Sequence, residues 1–232
     1  MINLVHMKAD FKQILREPVM ILFMLIPLFI FTVFKLFIAF IMPLISEYTG
    51  FDFFRYYGYI LTFVFLMSPG MLGTVAGFLM IDDRDEKIYE LMSVTPVGYK
   101  GYIANRLAIP FAGGVIYTFI GYFVLDVYYI SLPALIFISI LSGVEGIIIS
   151  LLLFNVADDK VKGLTYSKAL SASFVFCLAD LLGIKWISMI AGLLPFYWIS
   201  KIVYNPGVLS ISAAAAIHVF WLGTIVVINR KA

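Results

Sequence analysis

A chain of 232 residues that is 63% hydrophobic and only 13% charged, with a mean hydropathy of +1.05, carries more apolar surface than one globular core can bury; soluble domains are nearer half apolar and a quarter charged. The formal net charge of +2 is too small to argue for nucleic acid as a partner, and the single cysteine, Cys177, excludes an internal disulfide. The apolar runs are long and unbroken rather than alternating, which selects membrane-spanning helices of roughly 20 residues each over a β-barrel.

The first stretch, residues 1–18, sets Lys8, Asp10, Lys12, Arg16 and Glu17 among Leu4, Val5, Phe11, Ile14 and Leu15. The helical spacing of Phe11, Ile14 and Leu15 predicts an amphipathic helix lying in the membrane interface, the other reading being a polar tail. Pro18 marks the turn into a first span over residues 19–45. That run is too long for a signal-peptide core and no small-residue cleavage site follows it, so it is read as retained. Lys35 falls roughly 25 Å along this helix, near the far interface, where a snorkelling lysine is expected. A polar connection, 46–56, leads to an uncharged second span, 57–81. There Pro69, Gly70, Gly73 and Gly77 predict close approach of a neighbouring helix.

Residues 82–106 are the most polar stretch of the chain. A short helix is predicted within it, capped by Asp82 or Asp83. Ile88, Leu91 and Met92 form its apolar stripe, Arg84, Lys87 and Glu90 its charged face, and Thr95-Pro96 ends it. Such a helix serves either as an ordinary solvated loop helix or as a lever docked in the groove of a partner. Residues 107–125 form the third span, ending at Asp126. The fourth lies within 127–157 and is interrupted by Glu145, roughly 18 Å from its end and so near midplane, where an ionised group is costly. Glu145 is read as a structural polar contact or as a group that handles substrate or protons.

Residues 158–168 are polar. A fifth span, 169–184, is interrupted by Asp180; a last span covers 208–228. Between them, residues 186–200 make an apolar run short for a span, with Gly192 and Pro195 inside it. Lysine and arginine decide how it is counted. With six spans and a re-entrant hairpin at 185–205, twelve of the sixteen basic residues fall on one side and four on the other. The positive-inside rule then predicts a multi-pass protein of the cell membrane with both termini cytoplasmic. Non-helical backbone at membrane depth must be shielded by protein or water, so the outer hairpin is expected to line or plug a pathway. The fold class is therefore all-α and polytopic: an interfacial helix (1–18), then a six-span domain (19–232) with cytoplasmic loops at 82–106 and 158–168.

Catalysis is not indicated. His6 and His218 are the only histidines, no metal-ligand spacing joins them to Cys177, and no Gly-rich phosphate loop is present. No internal repeat marks an inverted-repeat transporter.

Three stretches carry a resemblance: KADFKQILREPVMILFMLIP, DDRDEKIYELMSVTPVGYKGYIANRL and EGIIISLLLFNVADDKVKGLTYSKAL. In order, and with this topology, they resemble the membrane permease subunits of type-2 ATP-binding-cassette exporters, more narrowly the small fluoroquinolone-export-type permeases. Lys162 departs from the pattern, in which glutamate is more usual. The resemblance implies a transport subunit rather than an enzyme, with no cofactor on this chain and ATP and magnesium on a separate cytoplasmic ATPase. Asp83, Arg84, Glu86, Lys87, Glu90, Leu91, Thr95 and Pro96 would belong to the coupling helix seated in that ATPase. Asp159, Lys160 and Lys162 would form a second, smaller contact. A second permease chain, identical or related, would complete the pathway through the lipid bilayer. The cargo, whether drug, lipid, peptide or polysaccharide, is left open. The competing readings are a stand-alone secondary carrier or channel using Glu145, a lipid-modifying membrane enzyme, and a purely structural subunit.

Overall fold

The computed structural model describes residues 10–95 and 98–229. Residues 1–9 of the predicted interfacial helix, Pro96, and Arg230 and Lys231 of the charge count lie outside the described residues, as does the side chain of Glu90.

Among the described residues every regular element is a helix. Five helices are long and apolar enough to cross a membrane: Pro18–Thr49, Phe54–Asp85, Gly98–Leu125, Leu132–Val156 and Val208–Ile228; these are spans 1, 2, 3, 4 and 6. Span 5 is a composite. The α-helix Lys160–Ser173 runs straight on into the 3-10 helix Phe174–Leu182, giving a rod of about 39 Å, longer than the hydrocarbon thickness of about 30 Å. It runs along span 2: Gly163 faces Phe78 and Ile81 near one end, and Phe174 faces Gly70 near the middle. The sequence places this span at 169–184; the helix begins earlier because Asp159 caps it, its carboxylate accepting from the Lys162 amide at 2.8 Å.

Spans 2, 3 and 4 pack most closely on one another, and glycine makes that possible. A first side-chain carbon placed on Gly73 would lie 2.8 Å from the Gly146 carbonyl oxygen, and one on Gly114 would lie 2.9 Å from the Gly143 amide nitrogen. With no such carbon the backbones touch, and the Ser150 hydroxyl shares its proton between Gly73 O across the seam at 3.0 Å and Gly146 O of its own span at 2.7 Å.

The helix ends define two faces. Asp10, Glu17, Asp82, Asp83, Arg84, Arg106 and Lys160 meet at one, here the charged face. At the opposite face the Lys35 ammonium donates to the Leu125 carbonyl at 2.7 Å, so the lysine of span 1 caps span 3. Asp126, at φ 47, turns the chain there in the left-handed conformation. The remaining segment, Lys185–Ala191 and Pro195–Tyr204, is bent by 116°. It leaves from the opposite face, dips inward and returns to it, where the Tyr204 hydroxyl meets the Tyr59 amide and the Arg55 carbonyl. This is the re-entrant hairpin. With the composite rod counted as a crossing there are six among the described residues, and Val226, near the end of span 6, lines a cavity with Tyr99 and Lys100 at the start of span 3.

Sequence and structure differ at the polar loop. The Asp82–Asp85 segment is not the start of a loop helix but the last turn of the second span, Tyr57–Asp85. The short helix Ile88–Ser93 is preceded by Lys87 at φ 56, with no side-chain cap. Hydropathy drops at Asp82, yet the helix continues because its polar end is paired rather than solvated. Span 3 likewise begins at Gly98, so the segment outside the spans is narrower than 82–106.

Candidate functional site

The charged face is organised around Arg106. Its Nη2 lies 2.6 Å from Asp83 Oδ2, its Nε donates to the same oxygen at 2.8 Å, and its Nη1 lies 2.7 Å from Asp10 Oδ1. The Tyr102 hydroxyl also donates to Asp83 Oδ2. The Arg106 and Asp83 side chains are 8% and 0% exposed, so this is a buried ion pair, whose charges must be held by close partners once water is removed. It ties residues 10–14, which are helical, to the ends of spans 2 and 3. Beside it the Lys160 ammonium bridges Glu17 Oε2 at 2.6 Å and Asp82 Oδ2 at 2.7 Å, tying spans 1, 2 and 5.

Arg84 extends the same network. Its Nη1 donates to Phe154 O at 3.0 Å, and its Nη2 to Ala157 O at 2.6 Å and Asp158 O at 2.8 Å. These are carbonyls at the C-terminal end of span 4, where a cation complements the helix dipole. Of the eight residues assigned to the coupling helix, then, Asp83 and Arg84 are anchors in span 2 rather than parts of an exposed helix face. Glu86, Lys87 and Leu91 are exposed, Leu91 at 65% and the neighbouring Val94 at 85%. Thr95 folds back, its hydroxyl donating to Met92 O at 2.7 Å. The predicted apolar stripe is split: Ile88 and Met92 face a cavity of about 240 Å³ lined also by Asp10, Asp83, Tyr102 and Arg106, while Leu91 points away.

In the second loop, Asp159 and Lys160 are structural in this geometry, as cap and bridge, and Lys162 is exposed beside Asp158. The Lys162 ammonium, hydrogen-bonded to Asp158, holds that carboxyl below its ordinary range. The helix at residues 10–14 also divides its apolar residues. Ile14 is buried against Val75, Phe78 and Leu79, whereas Phe11 and Leu15 are more than half exposed.

Glu145 is buried in span 4 and faces His218 of span 6, Oε2 to Nε2 3.7 Å apart. The sequence pointed to Glu145 by its depth; nothing in it pointed to His218, which reads as one polar residue in an apolar run. The hairpin tip packs at the same level: Leu194, Pro195 and Phe196 line a cavity of about 70 Å³ with Glu145, Phe174 and Trp221. Two indoles satisfy the turn's backbone, Trp198 Nε1 donating to Gly192 O and Trp221 Nε1 to Leu193 O, both at 2.8 Å. Asp180 of span 5 holds both arms, through Ser188 at 2.8 Å, Tyr197 at 2.9 Å and Lys201 at 2.6 Å. Among the described residues no group of three or more His, Cys, Asp or Glu could hold a metal ion.

Comparison with known proteins gives matches over most of this length. Residues 10–229 match the family model described as "Fluoroquinolones export permease protein Rv2686c-like". The chain is similar to two proteins named fluoroquinolones export permease protein, MT2760 and Rv2686c, from Mycobacterium tuberculosis strains CDC 1551 / Oshkosh and ATCC 25618 / H37Rv. Each is 29% identical over 200 residues, covering 84% of this chain and 78% of the relative. No solved structure matches it.

Proposed function

This chain belongs to the Rv2686c-like family of fluoroquinolones export permease proteins, and from that membership we propose that it is the membrane-spanning subunit of an ATP-driven exporter. A separate ATP-binding-cassette ATPase, carrying the ATP and magnesium, docks on the charged face. That face is the cytoplasmic one, in the cell membrane, and a second permease chain completes the pathway. Of the cargo classes the resemblance allows, the relatives' names favour the drug class.

One observation supports this reading above the others: a short helix set beside a buried ion pair, with apolar residues exposed on its outer side and at its end. Ile88–Ser93 stands on the buried Asp83–Arg106 pair, yet presents Leu91 and Val94 outward. An exposed apolar pair on an otherwise charged surface suits a partner's groove. Closure of the ATPase dimer would push this helix. Ile88 and Met92 pass the load to the Arg106 cluster and thus to spans 2 and 3, Arg84 passes it to span 4, and Lys160 to spans 1 and 5. The second loop, with Lys162 and Val161 exposed, makes the smaller contact.

The test is co-purification with the ATPase encoded beside this gene, and ATP hydrolysis by the complex. Leu91→Asp, Val94→Asp and Glu90→Lys should each abolish co-elution while the permease still elutes as a folded species. A wild-type chain that ignores that ATPase overturns the reading. The buried Glu145–His218 pair favours one competitor, a stand-alone carrier; cargo movement in vesicles holding the permease alone would establish it.

A further inference from the structure

We propose that the groove between spans 4 and 5, ending at Glu145 beneath the hairpin tip, is a cargo subsite for the protonated amine of a hydrophobic molecule that enters from the bilayer. This deepens the permease reading by naming a substrate class.

The shape comes first. An apolar groove of about 270 Å³ is lined by Leu152, Leu153, Val156, Tyr166, Leu170 and Ser173. The cavity of about 70 Å³ at Glu145 shares Leu152, Leu170 and Ser173 with it. The two are therefore neighbours along one seam, a wider outer groove leading to a small, deep end. Together they approach the few hundred Å³ of small-molecule sites, which pair apolar walls with a few placed polar groups.

The chemistry at the deep end selects the ligand. Glu145 lines it, 2% exposed, and its Oε2 has no hydrogen-bond partner. Behind it, His218 Nδ1 lies 2.8 Å from the Ala214 carbonyl, a contact only an N–H can make. In the neutral ring that leaves Nε2 as an acceptor. Nε2 is also without a partner and faces Glu145 Oε2 at 3.7 Å. Two oxygen and nitrogen acceptors that face each other need a donor: the carboxyl's own proton when the groove is empty and, once that proton has left to water, the N–H groups of a bound cation. A protonated amine supplies both the N–H groups and the charge, and the aromatic rings of Phe174, Phe196 and Trp221 around it suit a cation with an apolar body. A neutral amphiphile satisfies the groove but not the carboxylate.

The hairpin closes the far side, since Leu194, Pro195 and Phe196 form that wall. Cargo held at Glu145 thus has a route in along spans 4 and 5 and a plug in front of it.

The test uses the full-length permease in lipid nanodiscs without any ATPase, with 1-naphthylmethylamine as probe and 1-naphthylmethanol as its uncharged counterpart. Binding is read by naphthalene fluorescence against empty nanodiscs. The amine should bind more tightly than the alcohol. Glu145→Gln should weaken the amine by roughly tenfold to a hundredfold, the size of a lost charge-assisted hydrogen bond, and leave the alcohol unchanged. Leu152→Trp, which fills the groove and keeps the carboxylate, should weaken both probes; it serves if Glu145→Gln does not fold, as judged by its melting curve. Equal binding of amine and alcohol, or of amine to wild type and both variants, overturns the proposal. Because no ATPase is present, this outcome is independent of whether the chain docks one.

Discussion

Arg106 and Asp83 meet at 2.6 Å with almost no solvent access, although one sits in span 3 and the other in the last turn of span 2. The pair fixes the two feet of the loop that bears Leu91. Removing Arg106 leaves the Asp83 charge buried without a cation, which costs about 3–5 kcal/mol, whereas Arg106 keeps Asp10 as a partner when Asp83 is lost. Arg106→Ala should therefore lower the melting temperature of the detergent-solubilised protein sharply. Asp83→Asn, which keeps an acceptor for Arg106 and Tyr102, should cost less. Equal melting of both variants and wild type would show that the charged face is held by other contacts.

Arg84 gives a second prediction. Its guanidinium satisfies three carbonyls at the end of span 4, and hydrogen bonds to a charged donor are worth about 1.5–3 kcal/mol. Arg84→Ala should destabilise by an amount in that range. Arg84→Lys should recover only part, since an ammonium lacks the planar fork that reaches separate carbonyls. The check is a denaturation series of the three proteins under one lipid and detergent condition.

Two glycines should respond oppositely to the same change. Gly73→Ala drives a methyl group to 2.8 Å from the Gly146 carbonyl, between backbones that cannot yield easily, whereas nothing lies within 4 Å of the methyl of Gly223→Ala. The first should destabilise by about 1–3 kcal/mol. The second should be neutral or stabilising by up to about 1 kcal/mol, because alanine replaces glycine in a helix interior. Melting temperatures that move together would contradict this packing.

A fourth prediction concerns the hairpin. Asp180 joins Ser188, Tyr197 and Lys201, and Cys177 lies one turn away, buried. Asp180→Ala should free both arms and speed maleimide labelling of Cys177 by roughly tenfold, the equivalent of about 1.4 kcal/mol in the opening equilibrium. An unchanged labelling rate would place the hold on the hairpin elsewhere, at Trp198 and Trp221.

The division between what the sequence discloses and what it hides follows range. Spans, the hairpin and its Gly192 and Pro195 are local patterns of hydropathy and length, and these were readable. So was the unusual depth of Glu145. Its partner was not, since His218 reaches Glu145 only through the packing of span 6 on span 4. The same limit explains Asp83. A run of acids after an apolar helix reads as the start of something new, because the arginine that lets the helix continue lies across another loop. The 3-10 ending of span 5 carries no composition that distinguishes it from an α-helix, and its extent had to come from Asp159 and the contacts along span 2.

The turn of the hairpin has an electrical consequence. Its two exposed carbonyls, Gly192 O and Leu193 O, are each occupied by an indole N–H, so the turn needs no water to be stable at that depth. In the exporter proposed above, a turn satisfied in this way would interrupt a continuous file of water between the opposite face and Glu145. In that exporter the idle protein would then sit in an energised membrane without short-circuiting it, and Trp221→Phe, which takes the donor from the Leu193 carbonyl, should be felt first as an ion leak.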